Sequence, residues 1–108
     1  MGTFNYWDEK LQGRNYNRRK IGNNTYLTRD GENITMLYHS TKVVVVDPKN
    51  NITLNTGGWF TASTKERMNW ALARTGYRII QHNWVWYLVS GDVRYPYHDG
   101  ITMYADGW

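Results

Sequence analysis

The alternation of apolar and polar positions divides the chain into a β-rich body interrupted by one helix. Thr25 to Arg29 reads as a short strand, and Asp30-Gly31 is a hairpin turn signal. Glu32 to His39 alternates, with Ile34, Met36 and Tyr38 on one face and Thr35, Leu37 and His39 on the other. Lys42 to Asp47 encloses the β-branched run Val43 to Val46, which predicts a strand covered on both faces. Asp47-Pro48-Lys49-Asn50-Asn51 is turn chemistry, and Ile52 to Asn55 returns as the partner strand, ending at Gly57-Gly58.

The period then changes from two to 3.6. Ser63 and Glu66 have the spacing of a capping box, which predicts a helix start near Thr64. Met68, Ala71 and Leu72 fall at i, i+3 and i+4 and form its buried stripe, and Gly76 stops it after Arg74. Tyr77 to Gln81 and Trp84 to Val89 predict two further strands joined at His82-Asn83. The tail after Arg94 is rich in Tyr, Asp and Gly, with Ile101 and Met103 at strand spacing. The order β-β-β-β-α-β-β predicts the α+β class: one twisted antiparallel sheet of about six strands with the helix on a face. A small, partly open β-barrel capped by the helix is the alternative.

The first 22 residues show no sustained period. Phe4, Tyr6, Trp7 and Leu11 fit one amphipathic turn, and the polar run Gly13 to Lys20 reads as a loop or arm that packs late or folds on binding. Two parts are therefore expected: a basic N-terminal arm over 1–22, and a compact domain over 23–108 with an aromatic tail.

Charge sharpens that division. The formal net charge is +4, and residues 1–22 hold five cations against two acids, whereas residues 23–108 hold eight against seven. A basic arm carrying Arg18, Arg19 and Lys20 suits a polyanion. The nearly neutral body does not suit a surface that tracks a phosphate backbone throughout. With 108 residues, one modest core is expected, and six Trp and nine Tyr supply much of its area. No cysteine is present, which excludes disulfides and thiolate metal sites. No apolar run approaches the roughly 20 residues of a bilayer span, and no signal-peptide core follows Met1. A cytoplasmic setting without membrane association is the expectation.

Candidate chemistry concentrates in Gly57 to Asn69. Adjacent glycines permit positive φ, Trp59 offers either a core plug or a stacking face, and Thr61, Ser63 and Thr64 surround a helix N-terminus. Lys65 and Arg67 follow at once, where cations oppose the helix dipole, so a bound anion would offset their placement. The block lacks the second glycine before Lys65 that a P-loop requires. Arg67, Trp70 and Arg74 share a face opposite Met68 and Leu72, which suits base stacking between phosphate contacts or burial of Trp70 under the tail. Tyr26, Tyr38, Trp84, Trp86 and Tyr87 are further stacking candidates, though most must build core. His39, His82 and His98 share no metal-ligand spacing, and no cofactor or metal is expected. The enzymatic alternative is a metal-independent phosphodiester hydrolase using His39 as base with Lys65 stabilising charge. No catalytic residue is assigned.

Three segments, Asn24 to Leu27, Leu37 to Val44 and Leu54 to Asn69, together with Gly76 to Ile79 and Trp84 to Tyr87, resemble a group of small proteins of tailed bacteriophages. The resemblance covers roughly residues 18–89 and centres on an H-x-T and GGW-x-T-x-x-T-K-x-R-x-N pattern. It implies a viral origin and a host-cell cytoplasmic setting, without implying a mechanism. His39, Thr41, Gly57, Gly58, Trp59, Thr61, Thr64, Lys65, Arg67 and Asn69 match the pattern. The expectation is a non-enzymatic phage protein that binds nucleic acid, a nucleotide or another phosphate ligand. The site would be Lys65, Arg67, Thr61, Thr64, Asn69, Trp59, His39 and Thr41, assisted by Arg18, Arg19 and Lys20. The alternatives are a factor that binds and inhibits or redirects a host protein, including defence components, and a virion or assembly component.

Overall fold

The structure is a computed structural model that describes residues 2–105. The last residues of the tail, from Asp106, lie outside the described residues. The elements are α1 (Thr3–Lys10), a 3-10 turn (Gly13–Asn15), β1 (Arg18–Gly22), β2 (Thr25–Asp30), β3 (Asn33–Tyr38), β4 (Thr41–Val46), β5 (Ile52–Leu54), α2 (Ala62–Leu72), β6 (Tyr77–His82), β7 (Val85–Ser90), β8 (Val93–Pro96) and β9 (Thr102–Met103). The α+β class stands. The single sheet becomes two antiparallel ones: six strands in the order β1-β2-β3-β4-β5-β9, and three in the order β6-β7-β8. Both sheets are open, so the barrel alternative does not describe the fold.

Period-two alternation sets which side chains meet. Leu27 pairs with Met36, Met36 with Val44, and Val44 with Leu54, so one face of the large sheet is a continuous apolar row. Met68, Ala71 and Leu72 of α2, together with Trp7 and Leu11, join that row in one buried cluster. Ile79, Trp86 and Leu88 of the small sheet close the same cluster. A register shift between Met36 and Leu37 lets Val43 be buried as well as Val44, as the four-valine run predicted.

Residues 1–22 differ most from expectation. The amphipathic turn expected from Phe4 to Leu11 is part of helix α1, and the polar run Gly13 to Lys20 is a 3-10 turn and the start of an edge strand rather than a loop. Trp7 and Leu11 are buried. Thr3 Oγ1 donates to the Ala71 carbonyl at 3.3 Å, and the Phe4 N–H donates to Asn50 Oδ1 at 2.9 Å. Arg29 fastens the rest: its Nε donates to the Tyr16 carbonyl and an Nη2 hydrogen to the Leu11 carbonyl, both at 2.8 Å, with Asp8 also at 2.8 Å. These partners are distant in sequence, which is why no local period announces them.

Turns fall one residue from where sequence places them. Gly31-Glu32 joins β2 to β3, and Asn83-Trp84 joins β6 to β7. Helix α2 is capped by Thr61 rather than Ser63, because Thr61 has extended backbone (φ −111°, ψ 159°) and its hydroxyl accepts from the Thr64 N–H. Ser63 sits inside the first turn, and Glu66 pairs with Arg67 at 2.7 Å instead of closing a capping box.

Candidate functional site

The strand-to-helix junction is braced before it displays anything. Buried Thr56 is held by one carboxylate at two points: its N–H and its hydroxyl both donate to Asp99 at 2.8 Å. The Thr56 hydroxyl oxygen in turn accepts from the Gly58 N–H at 3.0 Å. Gly57 and Gly58 have φ of +64° and +92°, a geometry that only glycine adopts readily. Partial burial pushes the Asp99 carboxyl up, but the hydrogen bonds from Thr56, Tyr97 and Gly58 outweigh it and hold the group below the usual carboxylate range. Burial, and then the hydrogen bond and charge of Asp99, push the Tyr97 hydroxyl above its ordinary value. Tyr97 also packs with Phe60 and Trp86, with ring centroids 5.9 and 5.6 Å away.

Beyond the brace the chain turns sharply, with the Trp59 N–H donating to the Thr56 carbonyl and the Thr61 N–H to the Trp59 carbonyl. Trp59 is thereby held 68% exposed. It stands on a cleft of about 460 Å³ between the start of α2 and the β3–β4 turn. One wall is a chain of hydroxyls: Tyr38 donates to Ser63 at 2.9 Å, and Thr61 lies 3.2 Å from Ser63 and 3.0 Å from Thr64. The other wall is His39, Ser40 and Thr41, with His39 at φ +55° and its ring 4.5 Å from that of Tyr38. The cleft is thus rich in groups that both donate and accept.

Of the expected site residues, Trp59, Thr61, Thr64, His39 and Thr41 line this cleft together. Ser40, Thr56 and Ser63 join them without having been singled out as ligand groups. Lys65, Arg67 and Asn69 do not line it. Arg67 is 8% exposed, its guanidinium over the rings of Tyr38 and Trp70 at 4.4 and 4.8 Å, so the outward cation expected on α2 is an interior one. Trp70 is 41% exposed and shields Gly22; a Cβ added at Gly22 would meet its ring at 3.1 Å. Asn69 docks β6 onto α2, its Nδ2 donating to the Ile79 carbonyl at 3.0 Å while its Oδ1 accepts from the Ile79 N–H at 2.8 Å. Lys65 Nζ lies 3.4 Å from Gln81 Oε1, towards the small sheet.

Arg18, Arg19 and Lys20 lie on β1, the edge of the large sheet. Arg18 stacks on Tyr26 at 4.0 Å, and Arg19 donates to the Lys10 carbonyl at 3.3 Å. Cations on an edge strand also discourage pairing with another chain. Among the described residues, no three His, Cys, Asp or Glu side chains cluster, and no helix is long and apolar enough to cross a membrane.

Residues 10–104 match the family described as Kyanoviridae Gp96 protein. The match spans most of the chain, which therefore belongs to that bacteriophage protein family. No curated protein and no solved structure is similar to it at a significant level.

Proposed function

We propose that this phage-family chain is a binding protein of the infected cell's cytoplasm, and that its cleft holds a nucleobase-bearing ligand: a nucleotide, or an unpaired base of a nucleic acid. The observation that carries the reading is the Trp59 indole, 68% exposed at a cleft walled by hydroxyls. An indole kept out of the core by a braced turn is a ready stacking face, worth roughly 1–3 kcal/mol per base. Hydroxyls of Thr41, Thr61, Ser63 and Thr64 can answer either a donor or an acceptor on a base edge or ribose. Among the described residues lining the cleft there is no Lys or Arg, so recognition centres on base and sugar rather than phosphate.

Calorimetric titration with nucleosides, their 5′-monophosphates, ribose and inorganic phosphate tests this. Base-bearing ligands should bind with little salt dependence, and Trp59→Ala should weaken them roughly tenfold while leaving the fold intact. Equal binding of ribose alone, or indifference to Trp59→Ala, would overturn the reading.

A further inference from the structure

The β6–β7 hairpin ends on a residue that folding alone would not place there. Its two-residue turn has Asn83 at φ +50° and Trp84 at φ +69°, the geometry that ordinarily takes Asn-Gly. A bulky side chain in the left-handed region is strained. The same indole is 90% exposed, more than any other large hydrophobic side chain among the described residues. Strain and exposure at one residue mark a side chain held out for a ligand.

The sheet behind it has one face in the core and one turned away from it, exposed at Arg78, His82 and Val85, half-buried at Ile80 and Tyr87, and with Val89 buried. Ile79, Trp86 and Leu88 are buried, so alternation directs Arg78, Ile80 and His82 of β6, and Val85, Tyr87 and Val89 of β7, the other way. Pairing adds Arg94 beside Val89 and Pro96 beside Tyr87. The face therefore runs from Trp84 at the tip, past His82 and Val85, to Ile80 and Tyr87, and then to Arg78 and Arg94 either side of Val89. Arg94 lies over the Tyr87 ring at 5.1 Å. None of the three strands contains Asp or Glu. At strand rise, Trp84 stands about 10 Å from Tyr87 and about 17 Å from the arginine row.

We propose that this face binds a single strand of nucleic acid, with a base stacked on Trp84 and phosphates held by Arg78 and Arg94. An acid-free face bearing two arginines complements a polyanion, and a protruding indole can stack only on a base already free of a duplex. The hairpin tip lies at the same end of the molecule as the cleft: Phe60, next to Trp59, contacts Trp86 at 5.0 Å, and Lys65 reaches Gln81. The proposal rests on the nucleobase reading for its ligand class, but its residues are separate from those of the cleft.

The test is fluorescence anisotropy of labelled oligothymidine, oligouridine and a DNA duplex at two salt concentrations, with the nucleoside titration run in parallel. Trp84→Gly restores the preferred turn residue, so the melting temperature should rise while single-strand affinity falls roughly tenfold. Arg78→Gln with Arg94→Gln should weaken the single strand and lower its salt slope by about 1–2. Both variants should bind nucleosides as the parent does, and the duplex should bind more weakly than either single strand. Failure of nucleoside binding with Trp84-dependent strand binding would sink the cleft alone. Absence of strand binding, or strand binding unchanged in both variants, overturns the proposal; in that case a protein pocket is the remaining use for Trp84.

Discussion

The Nε of Arg67 donates to Thr25 Oγ1 at 3.1 Å, joining the middle of α2 to the start of β2 across 42 positions of sequence. The same guanidinium donates to the Asn23 carbonyl at 3.3 Å and the Ser63 carbonyl at 3.5 Å. A cation placed in the first turns of a helix, against the dipole, is thus accounted for without a bound anion. Its donors are used by the fold, and two aromatic rings lie against it.

Arg67→Ala should therefore act on stability before it acts on any ligand. Removing a buried, multiply bonded guanidinium takes the donor from Thr25 Oγ1 and one of two donors from the Asn23 carbonyl, and opens space between Tyr38 and Trp70. A loss of about 2–4 kcal/mol is expected in urea unfolding. Glu66→Gln should change stability by less than about 1 kcal/mol, because that carboxylate is 58% exposed and screened by water. Equal unfolding midpoints for Arg67→Ala and the parent would remove Arg67 from this role.

Asn69 offers a second check on the same helix. Its amide satisfies both backbone groups of Ile79, so Asn69→Ala should cost about 1–3 kcal/mol. Asn69→Asp should also destabilise, since a carboxylate cannot donate to the Ile79 carbonyl. Hydrogen exchange at the Ile79 amide should quicken in both variants, whereas amides of β2 and β3 should quicken only as far as global stability falls.

What the sequence disclosed follows the range of the interactions. The β2–β3 hairpin and the Met68–Ala71–Leu72 stripe were legible because alternation and helical spacing are local. Helix α1 was legible only as one amphipathic turn, since its anchors are Asn50 and Ala71. Strand β8 exposes all four residues and so shows no buried face to read, whereas β9 has only two and was signalled by the strand spacing of Ile101 and buried Met103 alone. At the site, Trp59, Thr61 and Thr64 were legible from the glycine turn and the helix start. Thr56 was not, because Asp99, 43 residues away, fixes it. The burial of Arg67 depends on Asn23 and Thr25, which no periodicity connects to the helix.

The Asp99 brace should give the junction its own pH dependence. The folded carboxyl titrates below its unfolded value of about 3.9, so its contribution is complete above that pH and is lost as the pH falls through the depressed folded value. Tyr97 is shifted the other way, so its contribution is complete below about pH 10 and is lost as the pH rises beyond. Melting temperature should therefore fall at both extremes. Asp99→Asn should flatten the acid limb and Tyr97→Phe the alkaline limb. An acid limb unchanged in Asp99→Asn would assign it to other carboxylates.

Gly57 links the brace to the cleft wall. A Cβ built there would lie 2.8 Å from Thr41 Cγ2 and 3.0 Å from Thr41 Oγ1, and the backbone stands at φ +64°. Gly57→Ala should cost about 1–2 kcal/mol from left-handed strain alone, with a further increment from displacing the stiff Thr41 side chain. Thr41→Ala removes both crowded atoms, so the double variant should be more stable than the sum of the single effects by about 0.5 kcal/mol or more. The same coupling should show in ligand affinity, because Thr41 lines the cleft. Strict additivity in both measurements would mean that Gly57 is required for its backbone conformation alone, and that the close approach to Thr41 has no bearing on the cleft.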